Sequence, residues 1–128
     1  MAHKILIVDD ERINMALVKF GLSEQRYQVV EAKDGIEGIE KVKEENPDLI
    51  VLDIQMPNMN GYEFMAELKS LDDIDPPPVI MLTASDSMED LFRMEGVKDY
   101  FVKPVDLKAL AKSIKNILGE NPAASGEE

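Results

Sequence analysis

Four mostly aliphatic runs in this 128-residue sequence end on side chains that can do chemistry. KILIVDD (4–10) closes on Asp9-Asp10, DLIVLDI (48–54) carries Asp53, PVIMLT (78–83) closes on Thr83, and DYFVKP (99–104) reaches Lys103 before its proline. An ionised group taken out of water must find partners or become neutral. Asp53 is therefore either a turn residue facing water or a member of a polar site, and Asp10 has an equally plain reading as the cap of a following helix. Two acids, a further acid, a hydroxyl and an ammonium at the same end of four strands have no packing explanation, and together they favour a site. Two unit charges ~4 Å apart repel by ~4 kcal/mol at an effective dielectric near 20. Such a set requires a cation. Lys103 supplies part of the neutralisation, and a hard divalent ion, Mg2+ (or Mn2+), suits the rest because its ligands are oxygens. The chemistry that fits is acceptance of a phosphoryl group by a carboxylate. Carboxylates form covalent phosphoryl intermediates, and phosphoryl transfer asks the protein mainly to position groups and neutralise charge.

Other chemistries find little support. The single histidine, His3, precedes the first apolar run and reads as a solvated imidazole, so a Ser–His–Asp arrangement is improbable. Neither a GxxxxGK[ST] loop nor a GxGxxG after the first strand is present. The absence of cysteine excludes a disulfide framework and thiolate metal sites. A net charge of −12 argues against direct nucleic-acid binding and against anionic membrane surfaces. No stretch approaches the roughly 18 apolar residues of a membrane span, and the N-terminus is not a secretory signal. These features predict a soluble cytoplasmic protein with one domain over 1–119. The segment ENPAASGEE (120–128) reads as a disordered acidic tail.

The elements that must position these residues alternate in period. ERINMALVKFGLSEQ (11–25) has Ile13, Leu17 and Phe20 at helical spacing, and YQVVEA (27–32) reads as a strand. DGIEGIEKVKEEN (34–46) puts Ile36, Ile39 and Val42 on one helical face, stopped by Asn46-Pro47. GYEFMAELKSL (61–71) offers Phe64, Met65 and Leu68, and SDSMEDLFRMEG (85–96) is a weaker helical stretch. DLKALAKSIKNILG (106–119) has Leu107, Leu110, Ala111, Ile114 and Leu118 at amphipathic spacing, with Gly119 as its cap. Five strands alternating with five helices predict an α/β fold with a parallel sheet covered on both faces. The order 2-1-3-4-5 is a common solution, with ligands at the carboxyl ends near the switch between strands 1 and 3.

The blocks ILIVDDE, VLDIQMPNMNGYE, VIMLTAS and DYFVKPVD resemble the four sequence blocks of the bacterial response-regulator receiver domain, over residues 4–118. The resemblance implies a flavodoxin-like receiver fold, a five-stranded parallel sheet of order 2-1-3-4-5 sandwiched by five helices. It implies that Asp53 accepts a phosphoryl group from the phosphohistidine of a sensor histidine kinase. Asp10, Asp53 and the backbone carbonyl of Gln55 would hold Mg2+, with Asp9 close by or acting through water. Lys103 would pair first with the carboxylate and then with a phosphoryl oxygen. The Thr83 hydroxyl and the Ala84 amide would bind the other oxygens. Lys103-Pro104 matches the family's cis peptide, and Tyr100 matches the aromatic that moves inward with Thr83. The implied function is a stand-alone phosphorylation-dependent switch whose output is another protein docked on its surface. The alternative is a phosphorelay carrier that passes the group to a histidine phosphotransferase.

A hydrolase similar to the haloacid-dehalogenase phosphatases would want a second aspartate two residues after the nucleophile, where Gln55 stands. No turnover enzyme is therefore expected. Between Thr83 and Lys103 the chain is about two residues shorter than the family pattern, which leaves the fourth helix short. The resemblance implies that Gln55 and Ser85 occupy positions that tune access of the hydrolytic water. Met56, Met59, Met81, Met88 and Met94 read as packing residues.

Overall fold

The computed structural model describes residues 2–56, 58–84 and 96–119, and within them the chain forms five strands and four helices. In chain order these are β1 (Lys4–Val8), α1 (Arg12–Glu24), β2 (Gln28–Ala32), α2 (Gly35–Glu45), β3 (Leu49–Asp53), α3 (Gly61–Lys69), β4 (Val79–Thr83), β5 (Val97–Val102) and α4 (Leu107–Ile117). The helix expected over 85–96 falls, but for Gly96, outside the described residues, as do Ser85, Met88, Met94 and the tail 120–128. Among the described residues no helix is long and apolar enough to cross a membrane.

All strands pair in parallel, in the order β2-β1-β3-β4-β5. Alternate residues of each strand serve opposite faces of the sheet, which is why the central strands read as unbroken apolar runs. Leu6, Val8, Ile50, Leu52, Val79 and Met81 meet Ile39, Val42, Phe64, Met65 and Leu68 from α2 and α3. Ile5, Ile7, Leu49, Val51, Ile80 and Leu82 meet Met15, Val18, Leu22, Leu110 and Ile114 from α1 and α4.

Local chemistry sets the helix starts. Asp34 accepts the Glu37 amide at 2.8 Å and opens α2. Asn60 and Glu63 exchange reciprocal bonds of 2.9 Å in a capping box that opens α3. Asp106 accepts the amides of Lys108 and Ala109 at the start of α4. Asn46, with φ 50, ends α2 in the left-handed region, as the Asn46-Pro47 signal predicts.

Two expectations need correction. Ile13, Leu17 and Phe20 do not mark the core face of α1: they are 74%, 51% and 64% exposed, and the helix buries Asn14, Met15, Val18 and Leu22 instead. Met15, Val18 and Leu22 repeat at the same helical period, so spacing alone cannot choose between the two stripes. Ile36 is likewise exposed, whereas Ile39 and Val42 are buried. Secondly, β5 starts at Val97 and not at Asp99. A register irregularity lets Val79 pair with Val97 and Ile80 with Asp99, so Lys98 is skipped.

Candidate functional site

The site is built at the carboxyl ends of β1, β3, β4 and β5. Asp9 lies one residue beyond β1, and its amide bonds the Ala32 carbonyl at 3.0 Å. Asp53 ends β3, and the following amide, of Ile54, bonds the Leu82 carbonyl at 3.0 Å. Asp9 and Asp53 continue the alternation of Ile5, Ile7, Leu49 and Val51, so both fall on the side covered by α1 and α4. The chain then turns tightly, and the Gly61 amide returns to the Ile54 carbonyl at 2.8 Å. A Cβ on Gly61 would stand 2.9 Å from the Ile54 Cα, so glycine is what allows this close approach.

Carboxylate oxygens of Asp9, Asp10 and Asp53 lie within 4.8 Å of one another. Asp9 and Asp53 are buried, at 2% and 3% exposure, while Asp10 is open to solvent. The Lys103 Nζ stands 3.1 Å from Asp53 Oδ2, 3.8 Å from Asp9 Oδ2 and 3.6 Å from Glu11 Oε1. Asp53 Oδ1 accepts the Gln55 amide at 3.2 Å. Asp9 Oδ1 accepts the Glu11 amide at 2.8 Å, and its Oδ2 accepts the Asn14 side-chain amide.

Burial pushes the Asp53 carboxyl up to about 6, and the like charge of Asp9 adds to the rise. The Lys103 ammonium and the Gln55 amide oppose it without cancelling it. Burial pulls the Lys103 ammonium down, but Asp53 and Asp9, with Glu11, outweigh it and leave its pKa above the usual lysine value. The lysine is therefore a fixed positive charge. Three carboxylates against one ammonium leave the cluster negative. An all-oxygen donor set with one member open to solvent fits a hard divalent ion that keeps part of its water.

The remaining residues singled out in the sequence lie around this cluster. Thr83 ends β4, is buried, and its carbonyl accepts the Lys103 amide at 2.7 Å, which ties the lysine to the neighbouring strand end. Ala84 follows it and is exposed. The Lys103-Pro104 bond is cis, as expected. Tyr100 is half-buried on β5 opposite Met81 and packs against the core beneath α2 and α3, on the face away from Asp53. Gln55 is exposed, and it bonds Asp53 through its backbone amide. His3 is half-buried and sits at the opposite end of the sheet. Met56 and Met59 are half-buried against the core, and Met81 is within it.

Two members of the site were not anticipated. Glu11 and Asn14 join the site through α1, whose sheet-facing side the spacing of Ile13, Leu17 and Phe20 does not indicate. A polar residue in phase with Met15, Val18 and Leu22 was the available signal.

A family profile described as the response regulator receiver domain matches residues 5–115. The alkaline phosphatase synthesis transcriptional regulatory protein PhoP of Bacillus subtilis is 36% identical over 127 residues, covering 98% of this chain and 52% of PhoP. This chain thus spans about half the length of that relative. Protein PilH of Pseudomonas aeruginosa is 34% identical over 117 residues, covering 90% of this chain and 97% of PilH. Among solved structures, the receiver domain of sensor histidine kinase PA1611 from Pseudomonas aeruginosa PAO1, with a magnesium ion coordinated in its active site cleft, superposes with a TM-score of 0.83. The two are 26% identical, with 93% of this chain and 99% of that one covered.

Proposed function

The chain belongs to the response regulator receiver domain family of two-component signalling, and on that premise we propose that it is a switch thrown by phosphorylation of Asp53. The observation that carries this reading is the buried Asp53 carboxylate with its counter-cation, Lys103 Nζ, already 3.1 Å away. The donor is the phosphohistidine of a sensor kinase. An Asp53 oxygen forms the new bond to phosphorus, the P–N bond of the donor breaks, and its electron pair stays with the donor imidazole. Asp9, Asp10 and Asp53 would hold Mg2+, an ion that the PA1611 receiver coordinates in its active site cleft, and it would supply neutralisation of the charge on the phosphoryl oxygens. Lys103 moves from a carboxylate oxygen to a phosphoryl oxygen, and Thr83 supplies its hydroxyl from the next strand end.

Hydrogen bonds to charged groups are worth about 1.5–3 kcal/mol each. Two new ones, from Thr83 and Lys103, come close to the ~5.5 kcal/mol that carries a two-state equilibrium from 1:99 to 99:1. Tyr100, half-buried on the strand next to the one that Thr83 ends, is the side chain that would report the change. The protein acts on itself and not as a turnover enzyme, since exposed Gln55 stands where a phosphatase acid would be. Its action is in the cytoplasm and its output is a protein partner. Ile13 and Leu17, exposed beside Glu11, Lys103 and Pro104 at the mouth of the site, offer apolar surface to a protein donor.

The test is intact mass after incubation with Mg2+ and acetyl phosphate, for wild type and Asp53→Asn. One phosphoryl group on the wild type alone, prevented by prior chelation, is the expected result. No adduct, together with no change at Tyr100 on adding beryllofluoride, would sink the reading.

A further inference from the structure

The core face of α1 contains a residue that hydrophobic patterning does not explain. Asn14 is 6% exposed and stands among Met15, Val18 and Leu22, where an apolar side chain would serve packing better. A buried amide is costly unless it is hydrogen-bonded. Its Nδ2 donates to Asp9 Oδ2, while the other Asp9 oxygen accepts the Glu11 amide. The Asp9 carboxylate is thus held at both oxygens by the start of α1, once by backbone and once by side chain. Any residue at position 11 other than proline would supply the first bond. Only the side chain at 14 supplies the second.

The character of the donor matters. An amide adds no charge, so Asp9 keeps its full negative charge for a cation, which a lysine or arginine at position 14 would neutralise. The competing donor for Asp9 Oδ2 is Lys103, whose Nζ is 3.8 Å from that oxygen and 3.1 Å from Asp53 Oδ2. Without Asn14, the uncompensated Asp9 oxygen would turn towards Lys103. That would take the carboxylate out of its place beside Asp10 and draw the ammonium away from Asp53.

We propose that Asn14 is a positioning residue for the divalent cation: its amide fixes Asp9 in the orientation the cation needs and leaves Lys103 to Asp53. The proposal rests on the reading that Asp9, Asp10 and Asp53 hold such an ion. Partners that orient ligating carboxylates typically change metal affinity by about 10–100-fold when removed, and Asn14 has this relation to Asp9.

The test measures the Mg2+ dissociation constant of the unphosphorylated full chain by calorimetric titration, so that no phosphodonor is involved. Asn14→Leu keeps the branched shape and removes the donor, and Asn14→Ala removes it with a smaller side chain should the leucine variant fail to fold. Either variant is expected to bind Mg2+ about tenfold more weakly than wild type. In an Asp9→Asn background the same substitution should have no further effect, because the carboxylate it orients has gone. A side chain that serves packing alone would alter unfolding and leave the dissociation constant of the folded protein in place. A constant within about twofold of wild type, or a loss equally large in the Asp9→Asn background, overturns the proposal while leaving the cation site intact. Absence of saturable Mg2+ binding by the wild type is a different result, and it overturns the cation reading itself.

Discussion

An Asp53→Asn substitution removes a charge that the folded protein holds at a loss, so the variant should be more stable than wild type in the absence of divalent metal. The carboxyl is raised from 3.8 to about 6 by burial first and by Asp9 second. The folded state therefore binds this proton more tightly than the unfolded state does. Below pH 3.8 the group is neutral in both states and contributes nothing. Between pH 3.8 and 6 the unfolded chain ionises first and stability falls as pH rises, and above pH 6 the full deficit is present. At 1.36 kcal/mol for each pH unit, the deficit is about 3 kcal/mol at pH 7.5 and about half that at pH 5. Asparagine imitates the protonated carboxyl, so the variant recovers this amount. Urea denaturation of both proteins in a chelating buffer at the two pH values reads it directly. A variant no more stable than wild type at pH 7.5, or a gain that does not shrink at pH 5, would refute the reasoning.

Two further substitutions test how the chain positions the site. Gly61→Ala forces a Cβ to within 2.9 Å of the Ile54 Cα, next to Asp53, and should cost about 1–3 kcal/mol in urea denaturation; a neutral result would show that the turn gives way easily. On α1, Ile13→Ser with Phe20→Ser should leave stability within about 0.5 kcal/mol for each change, whereas Leu22→Ala should cost about 2–5 kcal/mol. Comparable losses on the two faces would contradict the orientation of the helix.

What could be read from the sequence follows from how many neighbours each element has. β1, β3 and β4 are covered on both faces, so their apolar runs are continuous and their ends are marked by the site residues themselves. Asp9 and Asp53 were legible for that reason: a charge at the end of a buried strand stands out. The starts of α2 and α3 were legible through Asp34 and Asn60, whose bonds are local. The orientation of α1 was not, because Ile13, Leu17 and Phe20 repeat at the same period as Met15, Val18 and Leu22, and only the sheet decides between them. Asn14 was hidden for the same reason, since its partner, Asp9, belongs to another element. The early start of β5 depends on an irregular pairing with β4, a property of two strands that neither sequence carries alone.

The origin of the site's charges has a consequence for how the molecule comes into being. Chains are synthesised from the N-terminus, and parallel pairing between distant segments is slow. A nascent chain that has passed residue 60 already carries all three acids, but the ammonium that offsets them lies beyond β5 and comes into place only when that last strand docks on β4 and the Lys103 amide reaches the Thr83 carbonyl. Until then the acids repel one another without relief. A product ending before Lys103 lacks the ammonium that offsets the acids, so the full set of charges comes together only after β5 has been made and has docked on β4.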